Sequence, residues 1–402
     1  MRSYAEIDLE KEDFVSDTPD SNEPQDPADS GTSSETPVDK VDQNADRSEP
    51  DLVASATAPS DPSEREVHPF EFRGTAGEFF GIWIVNLLLT ILTLGIYSAW
   101  AKVRTKRYFY GSTYVDNSAF EYHATPIQIL IGRLIAVGAY FVFLILSMIP
   151  FVALILALAL FFVMPWLIVR SLRFNTRMSS YRNVRLGFKG SYGGAFVAFL
   201  LWPLAGILTI GLLMPMAARA QQSFLVNNAT FGGRPLSADL SIGQFYKVYT
   251  IGLVIMIALV LQFAFVGMPS MIAMENGDPA GVGAFFMSYL ALIFGMLFVG
   301  VYIQTLVTNL VFGVMKLDDS HGFTSTMNPF TMLWIAVSNA FMIGITFGLM
   351  YPWARVRQVK YRASQTTFLA ASDLSEFIST AEDEDTAIGE ELAEVFDIEI
   401  GI

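Results

Sequence analysis

A short motif that closes an apolar run and opens into basic charge occurs three times along the chain. The first copy reads Thr93-Leu94-Gly95-Ile96-Tyr97-Ser98-Ala99-Trp100-Ala101-Lys102-Val103-Arg104, and the last reads Thr346-Phe347-Gly348-Leu349-Met350-Tyr351-Pro352-Trp353-Ala354-Arg355-Val356-Arg357. A worn middle copy runs Thr209-Ile210-Gly211-Leu212-Leu213-Met214-Pro215-Met216-Ala217-Ala218-Arg219. The likeness spreads outward: Asn86 and Asn339 stand at the same distance before the threonine, and Tyr108, Phe224 and Tyr361 hold matching places after it. Further on, Phe231 matches Phe368, and Phe120 matches after a short insertion. Copies one and two each continue into a long apolar hairpin, whereas copy three runs into an acidic tail. The chain therefore divides into repeat one (70–169), repeat two (184–312) and a partial repeat three (321–372).

Hydrophobic residues make up 52% of the chain and charged ones only 16%, with a mean hydropathy of +0.43. Soluble domains carry about a quarter charged residues, so this chain belongs in a membrane. Apolar stretches lie at Phe79–Trp100, Ile127–Ser147, Phe151–Val169, Ala195–Ala218, Val248–Ile272, Val282–Leu310 and Phe330–Trp353. Each is near or above the roughly 20 residues that cross a bilayer core. Met148-Ile149-Pro150 joins the second to the third, and Glu275-Asn276-Gly277-Asp278-Pro279 joins the fifth to the sixth, both as tight turns. The expected fold is an all-α polytopic membrane protein, built from internal repeats of a broken or re-entrant element plus a helical hairpin. Short extended pieces are expected at the interfaces, from aromatic alternation in Phe70-Glu71-Phe72 and Phe120-Glu121-Tyr122. After them, Thr75 with Glu78 and Thr125 with Gln128 have the spacing of capping boxes, in which two side chains satisfy orphan N–H groups at a helix start.

The charge is unevenly spread. Residues 1–67 hold 19 acids and 5 bases, residues 373–402 hold 11 acids and no base, and 68–372 hold 9 acids and 20 bases. The first segment reads as a disordered acidic tail and the last as an acidic tail with helical potential around Ile388, Leu392, Val395 and Phe396, able to dock on basic loops. No charged-then-apolar leader opens the chain. Two topologies remain open. If all seven stretches cross, each repeat inverts the next, consistent with the middle copy's loss of basic charge. If the Thr-x-Gly elements re-enter and only the hairpins cross, all 20 basic residues of the middle segment face the cytoplasm. The positive-inside rule favours this four-crossing arrangement, with both tails cytoplasmic.

The three histidines, His68, His123 and His321, show no metal-ligand spacing, and no cysteine is present. Neither a phosphate-binding glycine loop nor a nucleophile motif appears, so no enzyme, metal or cofactor is expected. Polar residues inside apolar stretches are costly and so are functional candidates: Asn86, Arg133, Gln262, Gln304 and Asn339 either line a polar path or bond helix to helix. Trp100, Lys102, Arg104, Lys106 and Arg107, with Trp353, Arg355, Arg357, Lys360 and Arg362, form two basic, aromatic segments suited to the interface and to anionic lipid. Lying against the membrane, they do not suit nucleic acid. Two functions follow as expectations: transport of a small solute of unnamed chemistry, or non-catalytic binding of anionic lipid or a protein partner. Self-association into a homo-oligomer stays open.

Across 68–400 the chain resembles the bacterial YjgN family of inner-membrane proteins, on the motifs Phe72-Arg73-Gly74-Thr75 and Thr93 to Thr113 and on the late segment from Gly389 to Ile402. The resemblance implies a multi-pass inner-membrane protein and supplies no activity or functional residue. The middle copy departs most, with Met216 in place of tryptophan.

Overall fold

The computed structural model describes residues 65–381; the acidic tail 1–64 and the segment around Ile388 to Phe396 lie outside the described residues. Among the described residues, eleven helices and eleven strands alternate in a regular order. Two successive strands, β1 (Glu66–Pro69) and β2 (Glu71–Phe72), lead into helices α1 (Ala76–Leu92) and α2 (Ser98–Gly111). The hairpin β3 (Thr113–Val115) and β4 (Ser118–Tyr122) precedes α3 (Pro126–Leu146) and α4 (Pro150–Arg177). Next come β5 (Ser179–Tyr181) and β6 (Val184–Phe188), then α5 (Tyr192–Leu208) and α6 (Met214–Asn227). Then β7 (Ala229–Phe231) and β8 (Arg234–Ala238) lead to α7 (Ile242–Glu275) and α8 (Pro279–Val314). Last are β9 (Met315–Leu317), β10 (His321–Ser325), α9 (Pro329–Ile345), α10 (Tyr351–Ser364), β11 (Thr366–Ala370) and a terminal helix α11 (374–381).

The expected helical character and the short extended pieces are present, but the all-α class is corrected: the extended pieces are strands of a sheet. The strands form one antiparallel sheet in the order β1-β11-β10-β9-β8-β7-β6-β5-β4-β3-β2. Its two edges belong to one continuous segment: β1 pairs with β11, β2 pairs with β3, and Phe70 between them donates its N–H to Thr366. The sheet is thereby closed into a small barrel, which removes exposed strand edges. Four hairpins turn through pairs with positive φ at both central residues: Asp116-Asn117, Arg182-Asn183, Gly232-Gly233 and Asp318-Asp319. That geometry matches the right-handed twist of paired strands and favours Asn, Asp and Gly. These turns mark one end of the barrel, and the ends of the five helical pairs mark the other. Phe70, Phe120, Phe231, Phe323 and Phe368 pack within it. Helix α11 folds into the same interior with Leu374, Phe377, Ile378 and Ala381 buried, leaving an apolar cavity of ≈ 280 Å³. The first turn of α11 is held by Asp373, whose carboxylate accepts from the N–H groups of Ser375 and Glu376.

The three Thr-x-Gly motifs adopt one local structure. Each threonine donates its hydroxyl to the carbonyl four residues earlier and accepts the N–H four residues later: Leu89 and Tyr97 for Thr93, Ala205 and Leu213 for Thr209, Met342 and Met350 for Thr346. One side chain thus ends the first helix and caps the second. The next two residues turn left-handed: Leu94, Ile210 and Phe347 have φ near 50°, and Gly95, Gly211 and Gly348 have φ of 93°, 89° and 92°. Glycine alone adopts the second conformation without strain. Each glycine N–H reaches the carbonyl five residues back, closing a helix C-terminus. The residues at the bend, Leu94, Ile210 and Phe347, are almost fully exposed although strongly apolar.

Both capping boxes form, at Thr75 with Glu78 and at Thr125 with Gln128. Among the described residues, four helices are long and apolar enough to cross a membrane: α3, α4, α7 and α8, while α1, α5 and α9 are shorter. In α3 none of the most apolar 18-residue window is buried, and in the other three only 11% is. Apolar surface of this extent requires a hydrocarbon solvent or further protein. Helices α5 and α7 carry π-turns at Val197–Leu201 and Phe263–Gly267, just before Pro203 and Pro269. The wider turn accommodates a residue that lacks an N–H.

Candidate functional site

The polar residues inside the apolar stretches are shared among separate helical pairs. Gln262 on α7 donates to Ser288 on α8 at 2.6 Å, and Gln304 is exposed on α8. Asn339 on α9 donates to the Ala354 carbonyl of α10 at 3.1 Å and accepts from Arg357 at 3.2 Å. Arg133, two turns into α3, donates to the Ser98 hydroxyl at the start of α2. Asn86 on α1 is 5% exposed, and neither atom of its amide has a hydrogen-bond partner.

The basic segments divide by direction. Lys102, Arg104, Arg107, Arg355 and Lys360 are exposed. Arg107 also donates to the carbonyls of Tyr122 and Ala124, tying α2 to the chain that enters α3. Arg357 turns into the protein, onto Ser338 and Asn339, with its guanidinium 5.1 Å from the Trp353 ring. Arg362 is half-buried, and its Nε has no partner. Trp100 stacks on Tyr97, with ring centroids 6.0 Å apart. Lys106 donates to Asn175 on α4 at 2.6 Å and lies 4.6 Å from the Tyr122 ring. Burial pushes the Lys106 ammonium below its usual pKa, and the charge of Lys102 acts in the same direction.

Three of these residues, Asn86, Lys102 and Lys106, come together. A groove of ≈ 360 Å³ between α1 and α2 is lined by Asn86, Thr90, Ser98, Lys102, Thr105 and Lys106, with Trp83 and Leu87 on its apolar side. The spacing supplies the lining: Asn86 and Thr90 lie one turn apart on α1, as do Ser98 and Lys102, and Lys102 and Lys106, on α2. Sequence reasoning singled out Asn86 and the two lysines for different reasons and passed over Ser98, Thr90 and Thr105. Their signal was the recurrence of polar residues on the inner face of each helix of the pair. Among the described residues, no carboxylate forms an ion pair with Lys102 or Lys106, and no cluster suits a metal ion. What the groove offers is the Asn86 amide, the Thr105 hydroxyl and the two ammoniums, beside an apolar wall; the Thr90 and Ser98 hydroxyls already donate to the carbonyls of Asn86 and Gly95.

Fold and site together define a helical membrane protein with a strand barrel attached to its helical pairs. The chain belongs to the family described as "Bacterial protein of unknown function (DUF898)", which matches residues 67–395. It is 25% identical to the protein named Inner membrane protein YjgN of Salmonella typhimurium, an alignment covering 74% of this chain and 88% of that one. To the proteins of the same name from Escherichia coli O157:H7 and K12 it is 24% identical, over 79% of this chain and 92% of each relative. No solved structure matches it.

Proposed function

We propose that the protein is a non-catalytic component of the bacterial inner membrane that inserts its helical pairs from the cytoplasmic face and binds anionic lipid there. The observation that carries this reading is closure of the sheet. Every helical pair leaves one barrel strand and returns to another, so each excursion begins and ends on the same side. Two pairs of long helices then cross and return, and the three shorter pairs dip and return. An arrangement with all seven apolar stretches crossing would leave strands of one sheet on opposite faces of the bilayer. The hairpin turns around Met148 and Asn276 hold no Lys or Arg, whereas the barrel side holds the exposed Lys102, Arg104, Arg107, Arg355 and Lys360. Near an anionic leaflet each such charge contributes about 1 kcal/mol. The relatives' printed name agrees with the location.

Single cysteines test the orientation, since the chain has none of its own. In sealed inverted vesicles an impermeant maleimide should label Lys316→Cys and Ser364→Cys, and should miss Met148→Cys and Asn276→Cys. Labelling of Lys316→Cys and Ser364→Cys from opposite sides would sink the proposal. The lipid arm extracts the protein in polymer nanodiscs and compares the enclosed phospholipids with bulk membrane. Anionic lipid should be enriched, and the enrichment should fall when Arg104, Arg355 and Lys360 are together replaced by Gln. Equal composition in both would refute the lipid-binding half.

A further inference from the structure

The α1–α2 groove differs from its two counterparts in a way that points to a ligand. In α9–α10 the equivalent amide, Asn339, is closed by its own protein: Ala354 accepts from it and Arg357 donates to it. In α5–α6 the amide is replaced by Trp202, and Met214 stands where α2 has Ser98. Met214 fills the space by lying on Gly206, its sulfur 2.9 Å from where a Cβ would be; Thr90 occupies that position in α1. Only in α1–α2 is the amide both retained and unsatisfied. Arg104, the counterpart of Arg357, stays exposed, and Val85 stands where Ser338 would have received it. A buried amide with four unused hydrogen-bonding sites is costly, and native structures keep such groups when something else satisfies them.

The surroundings say what that something is. Thr90, Ser98, Thr105, Lys102 and Lys106 line the same groove, and Arg133 reaches its edge through Ser98. In α9–α10 the positions of Thr90, Ser98 and Lys106 hold Ile343, Tyr351 and Val359, so this polar lining is peculiar to the first pair. The Asn86 amide, the Thr105 hydroxyl and two ammoniums without a carboxylate partner form a positive pocket that suits a compact oxyanion, while Thr90 and Ser98 already donate to the Asn86 and Gly95 carbonyls. We infer that the α1–α2 groove binds a phosphate-bearing group through Asn86, Lys102 and Lys106. This deepens the lipid reading above and rests on it for the groove's place at the membrane, but the site stands or falls by its own residues. Trp83 and Leu87 supply an apolar wall on which the glycerol or acyl portion of a phospholipid would lie. Free phosphate is the other source of the same chemistry.

Isothermal titration of the full-length protein in phosphatidylcholine nanodiscs, with inorganic phosphate and with short-chain phosphatidylglycerol as separate probes, tests the site. At least one probe should bind saturably. Asn86→Leu and Lys102→Gln should each weaken that binding by roughly tenfold or more, as loss of a hydrogen bond to a charged group does. Asn339→Leu should leave it within about threefold, because its groove is already closed. Binding of the lipid alone assigns the site to a headgroup; binding of phosphate with equal affinity assigns it to the free anion. Neither probe binding the native chain, or both variants binding as tightly as it does, overturns the inference. The Lys102 side chain is exposed, so that variant keeps the test valid if Asn86→Leu fails to fold. In Asn86→Leu the anionic-lipid enrichment set by Arg104, Arg355 and Lys360 should persist, which separates failure of this site from failure of the broader proposal.

Discussion

Truncating Phe377 should release helix α11 from the barrel while leaving the barrel intact. The Phe377 ring is 5% exposed, lies 4.2 Å from the His321 ring and 6.4 Å from that of Phe231, and carries the Arg234 guanidinium 4.6 Å from its centre. Phe→Ala in a core costs about 3–5 kcal/mol, and the cost grows when the walls cannot collapse onto the space left. Here they collapse poorly: the wall is a sheet hydrogen-bonded from strand to strand, and a cavity of ≈ 280 Å³ already borders the ring. The upper half of the range is therefore expected for docking of α11, which raises its undocked population by about a thousandfold. Hydrogen exchange followed by mass spectrometry reads this directly. Amides of 374–381 should exchange faster by about three orders of magnitude, while those of β7 and β10 keep their protection. Ser379→Ala, at an exposed position of the same helix, is the control and should change nothing. If the amides of 374–381 in Phe377→Ala exchange within about threefold of the native rate, the ring is not what holds the plug.

Two further outcomes follow from single residues. His321 is 2% exposed, and burial, followed in size by an opposing pull from Asp318 and then by the same-direction effects of Arg234 and Arg65, holds its pKa below the ordinary 6.5. Its Nδ1 accepts the N–H of Ala371, just before α11, and its ring faces Phe368 and Phe377. A lowered folded-state pKa means that the stabilisation is complete above about 6.5 and is lost as pH falls below that toward the folded value. Protection of 374–381 should therefore drop on acidification below about pH 6.5, and His321→Asn should flatten that dependence. Gly348→Ala and Gly344→Ala should have opposite signs in reversible unfolding in mixed micelles. A Cβ meets nothing at either site, so backbone conformation decides: at φ +92 the first should destabilise by about 1–2 kcal/mol, while the second, inside α9, should stabilise by about 0.5–1 kcal/mol. Equal effects would show that the left-handed turn is not what requires glycine at 348.

How much was legible follows from where each signal lies along the chain. The capping threonines, the break at Gly95, Gly211 and Gly348, and the tight turn at Ile149 are local, and short-range chemistry fixes them. The barrel was not legible from periodicity, because its strands are two to five residues long, too short for alternation to emerge from noise. Yet the four turns carried a signal: Asp116-Asn117, Gly232-Gly233 and Asp318-Asp319 are the pairs that left-handed hairpin turns favour, and Arg182-Asn183 shares the asparagine. The phenylalanines that aligned between copies, Phe120, Phe231 and Phe368, were interior residues of the barrel, seen first only as a repeat. Asn86 and Asn339 looked equivalent for the same reason. What distinguishes them is a partner that depends on Val85 against Ser338 and on which way Arg104 and Arg357 turn, and side-chain direction is not encoded in spacing.

The same short turns bear on the question that charge left open. Counting basic residues weighs two topologies without linking the repeats to one another, so the worn middle motif was compatible with inversion. Strand pairing does link them: β6 to β7 and β8 to β9 join the strands on both sides of α5–α6 and α7–α8 to their neighbours in one sheet. An inverted second repeat would have to break those ladders. Insertion from one face, as proposed, gives the middle copy's missing basic run a more local account. Met214 lies over Gly206 at the place where the first pair has Ser98 and Thr90, Trp202 replaces Asn86, and Arg219, the cation that remains, spends its Nε on the Leu240 carbonyl at 2.6 Å. Loss of charge there tracks loss of a polar groove, and under that account restoring Asn at 202 without Ser at 214 would bury an amide and recruit nothing.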